Sequence, residues 1–200
     1  MADFLQIVQS RRSVRQYTRQ PVPPAMVDQV LSAAMWAPSA HNRQPWRWAV
    51  VSLPEHKERL ARAMGARLRA DRLAEGEAPA TVEAALARSY TRLTTAPVLV
   101  AACSTLAGVE APPGSRLWRA EQAMTLQSVA AAIQNLLLAA QAAGLGACWL
   151  CAPLFCPEVV REALGLPGDW EPQALITLGY PAETKEPAER RPLAETVVYQ

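Results

Sequence analysis

The most prominent feature of the apolar pattern is a long stretch, from Gln122 to Pro157, that contains no charged side chain. A helix on the surface of a soluble protein keeps a polar face, so this stretch belongs either to a protein core or to a membrane. Amides such as Gln127 interrupt it before the ~18 consecutive apolar residues of a membrane span accumulate. We therefore predict a core helix over residues 119–143 and a short buried strand over residues 147–152, with a membrane helix as the alternative.

The rest of the chain alternates helical periodicity with short apolar runs. In the first helix, Phe4, Ile7 and Val8 fall on one face, and Asp3 can cap it. The pattern predicts helices that begin at Pro23 or Pro24 and at Pro54, a helix that ends near Thr94 and a short helix over residues 157–164. It predicts strands over residues 47–53, 96–104, 147–152 and 173–180. Helices that alternate with buried strands are typical of layered α/β or α+β folds. Because no repeat or linker divides the chain, residues 1–200 are expected to form one domain.

Charge and the N-terminal sequence narrow the functional classes. The chain has 200 residues and a formal net charge of +2, which is too small to favour nucleic acid or an anionic membrane as a partner. The N-terminus lacks the basic start and apolar segment of a secretory signal, so we expect a cytoplasmic protein. Local groups of arginine are therefore more informative than the total charge.

Four cysteines could in principle bind a metal, since Cys148 and Cys151 have the C-x-x-C spacing. Both lie in an apolar run where alternate residues face opposite sides of a strand, and the chain has no second C-x-x-C. Buried free cysteine is common in soluble proteins. We therefore predict that Cys148 and Cys151, like Cys103 and Cys156, bind no metal.

A dense group of hydrogen-bond donors follows the first predicted helix: Arg11, Arg12, Ser13 and Arg15. Arginine can donate two parallel hydrogen bonds to phosphate or carbonyl oxygens, and serine adds a hydroxyl. This group, the arginine cluster, is typical of an anion site. The alternative is a solvated helix end, where cations interact favourably with the carbonyl dipoles.

A polar segment over residues 37–46, APSAHNRQPW, separates the second helix from the first strand. It is rich in amide and hydroxyl groups, yet Trp36 and Trp46 flank it. Flexible linkers avoid tryptophan, so the segment suggests the wall of a ligand site. An ordinary loop anchored by a core tryptophan is the alternative.

Five motifs in this order resemble the FMN-dependent nitroreductase family. They are RRSVR at residues 11–15, APSAHNRQPW at 37–46, QNLLL at 134–138, GLGACW at 144–149, and LGYPA at 178–182 with the arginines that follow. The resemblance implies an α+β fold in which helices flank a mixed sheet. It also implies an intertwined homodimer that holds two FMN molecules in its interface, which would cover the uncharged helix.

The resemblance also assigns the cofactor contacts. Arg11, Arg12, Ser13 and Arg15 would hold the FMN phosphate, the ribityl chain and the pyrimidine edge of the ring, and Arg190 or Arg191 would complete the phosphate site. The turn Pro38, Ser39 and Ala40, together with Asn42, would reach the flavin of the other subunit. Backbone at Leu150, Cys151 and Ala152 would run along the isoalloxazine ring and donate to N5, although Cys151 stands where several family members carry Glu or Gly.

The implied activity is hydride transfer through flavin N5, from NADH, NADPH or a reduced deazaflavin to a small unsaturated or electron-poor acceptor. No side chain need act as nucleophile or base, so His41 is expected to be a hydrogen-bonding loop residue. Residues 71–80 and residues 106–115 are predicted to be loops, and one of the two would form the substrate lid.

Within the family, residues 37–48, 144–148 and 157–172 resemble the flavin domain of the ligase that builds the deazaflavin coenzyme factor 420. That branch implies reduction of a dehydro precursor of the coenzyme. A general NAD(P)H-dependent nitro or quinone reductase is the first alternative. A flavin-binding carrier or interaction module without turnover, suggested by Cys151, is the second.

Overall fold

The computed structural model describes residues 4–183, 186 and 189–200. In this part of the chain the helices are α1 (Phe4–Ser10), α2 (Pro24–Ala34), α3 (Pro54–Ala74), α4 (Pro79–Thr95), α5 (Arg116–Ala142) and α6 (Pro157–Leu164). The strands are β1 (Trp46–Val51), β2 (Val98–Ser104), β3 (Gly146–Leu150) and β4 (Glu171–Gly179). Short 3-10 helices cover Ala40–Asn42, Ala152–Phe155 and Leu193–Glu195. The predicted cap Asp3 lies outside the described residues.

The strands form a sheet in the order β1-β2-β4-β3, in which all three strand pairs are antiparallel. Within the described residues, the parallel pairing expected of a mixed sheet is confined to an isolated bridge between Ser13 and Ala147. Every residue of the central strand β2 is buried, as its continuous apolar run predicts. A bulge between Ala102 and Cys103 shifts the register toward β4.

Helices cover both faces of the sheet, which confirms the predicted α+β class. On one face, α2 and α5 pack over alternate β2 residues such as Val100 and Ala102. On the other face, α3, α4 and α6 pack over the remaining β2 residues, such as Leu99 and Ala101. The alternation of side chains along a strand thus divides the apolar run of β2 between two cores.

Helix α5 is the uncharged helix predicted from the sequence, and it begins slightly earlier than expected. The Ser115 side chain caps it by accepting a hydrogen bond from the Trp118 N–H at 3.0 Å. Its residues Val129, Ile133 and Leu136 are buried against the sheet. By length and composition alone α5 could also cross a membrane, but its packing is that of a core helix.

Two predicted boundaries are wrong for identifiable reasons. Residues 71–80 are mostly helical rather than a loop, because α3 continues to Ala74 and α4 begins with Pro79 at its first turn. Arg67 Nε and Asp71 Oδ1, one turn apart on α3, form an ion pair at 2.8 Å. This pair favours the continuation of the helix. The strand predicted over residues 147–152 ends at Leu150, because the chain turns at Cys151 into the 3-10 helix.

Candidate functional site

The arginine cluster lies beside the free edge of β3. Ser13 forms a parallel bridge with Ala147, and the Val14 N–H donates to the Ala147 carbonyl at 3.0 Å. The Val14 side chain is buried against Gly146, where a Cβ atom would lie only 2.8 Å from it. Glycine at position 146 therefore permits the close approach that joins the cluster to the sheet.

The side chains of the cluster differ in what they contact. Arg12 Nη1 donates to the Gln9 and Arg11 carbonyls at 2.6 and 2.7 Å, and Arg12 Nε donates to the Glu186 carbonyl at 3.1 Å. Arg15 is exposed, and its Nη1 donates to the Ser13 carbonyl at 3.3 Å. Arg12 therefore fixes the backbone around it, whereas the exposed Arg15 side chain is accessible to a ligand.

The C-terminal segment runs beside the cluster. The Ala182 N–H donates to the Gln16 carbonyl at 3.0 Å, and the Arg15 N–H donates to Glu183 Oε1 at 3.0 Å. Arg190 and Arg191 are exposed further along, and Arg190 Nη1 donates to the Glu189 carbonyl at 2.9 Å. Contacts between the described residues thus bring residues 181–183 and 186 to the cluster, and the role of Arg190 or Arg191 at a phosphate stays a prediction.

The end of β3 presents backbone to solvent. Because successive residues of a strand point their N–H and C=O groups to opposite sides, Trp149 faces the same open edge as Ala147. Cys151 and Ala152 follow and are exposed, and Leu150 is half-buried. Leu150 lies about 10 Å along the strand from Ala147. The predicted ring contacts and the arginine cluster therefore share one edge of the sheet.

The two cysteines of the C-x-x-C pair do not share an environment. Cys148 is buried in β3, whereas Cys151 is exposed at the turn. All four cysteines are free thiols. Among the described residues, no group of three or more His, Cys, Asp or Glu side chains is placed to hold a metal ion.

The segment over residues 37–45, the β1 loop, lies at the start of β1. His41, Asn42 and Gln44 have φ angles of 54°, 52° and 50°, in the left-handed region that non-glycine residues rarely adopt. Within the loop, the Gln44 N–H donates to Ser39 Oγ at 3.0 Å. Pro38 and Asn42 are exposed, and Ser39 and Ala40 are half-buried. The loop is therefore a defined structure with polar groups at its surface.

Helix α5 holds this loop through two contacts that the sequence reasoning missed. The Ala40 N–H donates to Ser128 Oγ at 3.3 Å. Arg43 forms an ion pair with Glu121, whose pKa is lowered chiefly by the hydrogen bond from Arg43. Glu121 is the last charged residue before the uncharged stretch. This position was the available signal in the sequence that Glu121 lies at the edge of the core.

One chain keeps the two groups of predicted flavin contacts apart. The strand order places β1 and β3 at opposite edges of the sheet. Three strand spacings separate these edges by roughly 14 Å. The β1 loop and the β3 edge of the same chain are therefore separated by the width of the sheet.

Two cavities border the 3-10 helix that follows β3. The first, of about 530 Å³, is lined by Leu154 and by Leu106 from the second lid candidate, with Gln122, Asp169 and Glu171 as polar groups. The second, of about 550 Å³, is lined by Phe155 and by residues at and just after the end of α3, among them Asp71, Ala74 and Glu77. Each candidate lid segment thus borders a cavity.

The sequence matches a known family over most of its length. Residues 8–180 match the profile of the Nitroreductase family. An NADH dehydrogenase of Thermus thermophilus is 34% identical over 205 residues, which cover 95% of this chain and 92% of the relative.

Two solved structures are similar over the whole chain. A protein of Desulfovibrio desulfuricans, solved in complex with FMN, is 27% identical with a TM-score of 0.73, and the similarity covers 100% of this chain and 98% of that one. A BluB-like flavoprotein of Clostridium difficile has a TM-score of 0.82 over 100% of both chains and, at 22% identity, shows the fold alone. With the family match over residues 8–180, these similarities establish that the chain is an oxidoreductase of the nitroreductase family.

Proposed function

We propose that the protein is an FMN-dependent oxidoreductase whose site is completed by a second copy of the chain. The observation that carries the proposal is the placement of the arginine cluster and the exposed end of β3 along one strand edge. The cluster offers cations to a phosphate, and the strand end offers backbone donors to the polar atoms of a ring. This donor set fits FMN, which has both an anionic and a planar hydrogen-bonding part.

In this proposal the residues have distinct tasks. Arg11, Ser13 and Arg15 bind the phosphate, the ribityl chain and the pyrimidine edge, while Arg12 orients the segment through backbone carbonyls. Backbone at residues 150–152 lies along the ring. The chemistry that bound FMN supplies is hydride transfer through its N5 atom, from a reduced donor to an electron-poor acceptor.

The positive charge of Arg15 would stabilise negative charge that develops on the pyrimidine side during reduction. The cavity of about 530 Å³ beside Leu154 offers space for a small acceptor next to the same strand end. No side chain is required to act as nucleophile or base.

A homodimer is supported by apolar surface that one chain leaves uncovered. Helix α1 buries none of its residues, and Phe4 and Leu5 are 64% and 59% exposed. Trp36, next to the β1 loop, is 88% exposed. Large apolar patches on a soluble protein mark interaction surfaces. A second copy seated there would bring its residues 38–42 to the β3 edge, which the loop of the same chain does not reach.

The hydride donor that we propose is NADH or NADPH. The Thermus relative is named an NADH dehydrogenase, and a Methanothermobacter relative, 32% identical over 90% of this chain, has a name that includes NAD(P)H nitroreductase. Nitro compounds, as one proposed acceptor class, follow the second of these names, and quinones are the other class that the sequence resemblance implies. Bleaching of the flavin by either nucleotide would support this donor class.

The proposal is tested with purified full-length protein. We expect a yellow protein with a flavin absorbance spectrum, a dimeric mass in light scattering, and bleaching during anaerobic titration with NADH or NADPH. A colourless monomer that binds no added FMN would contradict the proposal. A protein that binds FMN but is reduced by no donor, a reduced deazaflavin included, would favour a carrier without turnover.

A second candidate acceptor is the dehydro precursor of the deazaflavin coenzyme factor 420. The segment over residues 157–172, which resembles the flavin domain of the factor 420 ligase, forms α6 and the turn after it. The turn supplies Asp169 and the start of β4 supplies Glu171 to the wall of the 530 Å³ cavity, so the segment that carries the resemblance lies beside the proposed acceptor space. Incubating the FMN-loaded protein with the precursor and a reductant should yield the saturated product by mass spectrometry, and unchanged precursor would exclude this acceptor.

A further inference from the structure

Within the β1 loop, the backbone enters the left-handed region at three positions between residues 41 and 44. His41, Asn42 and Gln44 all have φ angles near 50° without being glycine. In this region the Cβ of an L-residue crowds the neighbouring backbone. Such conformations persist only where surrounding structure over-determines them. Contacts from outside the loop must therefore hold it.

Helix α5 supplies these contacts from one face. Ser128 Oγ accepts the Ala40 N–H at 3.3 Å and donates to the Met124 carbonyl at 2.7 Å, so its orientation is fixed from both sides. About two turns earlier, Glu121 forms the ion pair with Arg43. The two contacts, at Ala40 and Arg43, flank the left-handed residues His41 and Asn42 in the chain.

The ion pair is costly to break because Glu121 is buried. The exposed fraction of its side chain is 9%, against 31% for Arg43. A buried carboxylate that loses its partner keeps its desolvation penalty without compensation. Moving the loop away from α5 would leave Glu121 in that state, so the positions of loop and helix are coupled.

The contacts of Ser128 and Glu121 with the loop form a brace. Hydrogen bonds inside the loop connect this brace to the groups that would touch flavin. The Gln44 N–H donates to Ser39 Oγ at 3.0 Å, and Gln44 Nε2 donates to Asn42 Oδ1 at 3.4 Å. Gln44 directly follows Arg43. The Arg43 ion pair therefore fixes the part of the loop that orients Ser39 and Asn42.

We infer that Arg43, Glu121 and Ser128 are positioning residues that hold the β1 loop in the conformation in which Ser39 and Asn42 bind the flavin of the other subunit. They do not touch the flavin themselves. This inference rests on the proposed function, because it takes FMN as the ligand of the loop.

The test measures the FMN dissociation constant of full-length apoprotein by quenching of flavin fluorescence. In Glu121→Gln, the constant should rise about ten-fold, because a charge-assisted hydrogen bond that orients the loop is lost. At saturating FMN, kcat should stay within about two-fold of the wild type, since the brace acts only through cofactor placement. The charge swap Arg43→Glu with Glu121→Arg should recover part of the lost affinity.

Glu83→Gln is the matched control. It removes the carboxylate of another arginine pair, Arg69 and Glu83 at 2.7 Å, which joins α3 to α4 and is about half exposed. This variant should bind FMN like the wild type. If Glu121→Gln does not fold, Ser128→Ala tests the same brace by removing the acceptor for the Ala40 N–H.

The outcomes distinguish failure of this inference from failure of the proposed FMN-dependent function. A Glu121→Gln or folded Ser128→Ala protein with wild-type FMN affinity overturns the inference and leaves the proposed function intact. A loss in Glu121→Gln no larger than the loss in Glu83→Gln overturns it as well. Wild-type protein that binds no FMN overturns the proposed function, and the inference with it.

Discussion

The two edges of the sheet hold the two halves of the proposed flavin site by different means. At the β3 edge, the arginine cluster is joined to the strand by backbone: the Ser13–Ala147 bridge and the 3.0 Å hydrogen bond from the Val14 N–H. At the β1 edge, the loop is held by side chains of α5, through Glu121 and Ser128.

This difference determines which substitutions each half should tolerate. A backbone contact survives most side-chain changes, but the two segments must be able to approach each other closely. Here Gly146 permits this approach, because a Cβ atom at this position would crowd the Val14 side chain. A side-chain brace fails when either partner is removed, and it supports a strained backbone that glycine would relax. Substitutions at the two edges should therefore change cofactor affinity and stability in different proportions.

The largest expected effect is at the β3 edge, in the double variant Arg11→Ala with Arg15→Ala. Each lost charge-assisted hydrogen bond to phosphate or ring costs about 1.5–3 kcal/mol, so FMN affinity should fall by a factor of roughly 100 or more. Melting temperature should change little, because Arg15 is exposed and Arg11 is only half-buried. Isothermal titration of apoprotein with FMN measures the affinity.

Arg19→Ala is the control for this double variant, since Arg19 is an exposed arginine just beyond the cluster. It should leave FMN affinity unchanged. If the double variant binds FMN within about three-fold of the wild type, a difference of less than 1 kcal/mol, the assignment of the cluster to the cofactor is wrong.

The next effect tests the backbone contact itself, through Gly146→Ala. The added methyl would lie 2.8 Å from the Val14 side chain, so the segment carrying the cluster must move. Overpacking of this kind costs about 1–3 kcal/mol of folding free energy, and FMN affinity should fall with it. Urea unfolding and FMN titration measure the two effects. Gly168→Ala, where a methyl meets no atom within 4 Å, is the control; equal stability losses in both variants would contradict the argument.

At the β1 edge, relaxing the strained loop should separate stability from binding. His41→Gly and Asn42→Gly each replace a residue with φ near 50°, which should stabilise the fold by up to about 1 kcal/mol. Only Asn42→Gly removes an amide proposed to contact FMN, so only that variant should bind FMN more weakly. Thermal unfolding with FMN titration compares them. A loss of FMN affinity or of turnover in His41→Gly would assign His41 a role that the present proposal denies.

Elements with local signals were predictable from the sequence. Helix α6 has its predicted bounds because Pro157 suits a first turn and Gly165, with φ of 63°, ends the helix. The region over residues 71–80 contains the same kinds of signal, Gly76 with φ of 82° after α3 and Pro79 in the first turn of α4, but its charged composition favoured a loop. There, the ion pairs Arg67–Asp71 and Arg69–Glu83 support helices on both sides of a short turn, and neither pairing is readable from composition.

The site was predictable in its residue types and not in its arrangement. RRSVR marked an anion site, but its position beside β3 depends on a bridge to Ala147, far along the chain. The brace of the β1 loop joins Arg43 to a residue 78 positions away. Sequence periodicity reports which face of an element is buried, whereas it contains no signal for which charged residue will meet another across the fold.

The smallest expected effect is a pH dependence that belongs to the β1 edge alone. Arg43 holds the pKa of Glu121 below its usual value, chiefly through their hydrogen bond. A lowered pKa in the folded state means that this pair stabilises the protein above the unfolded value of about 4.3, and that the contribution is lost as pH falls through the folded value. The melting temperature of the wild type should therefore exceed that of Glu121→Gln at pH 7, and the gap should narrow below about pH 4. A gap that stays constant from pH 7 to about pH 3 would show that the loop is held by packing rather than by the ion pair.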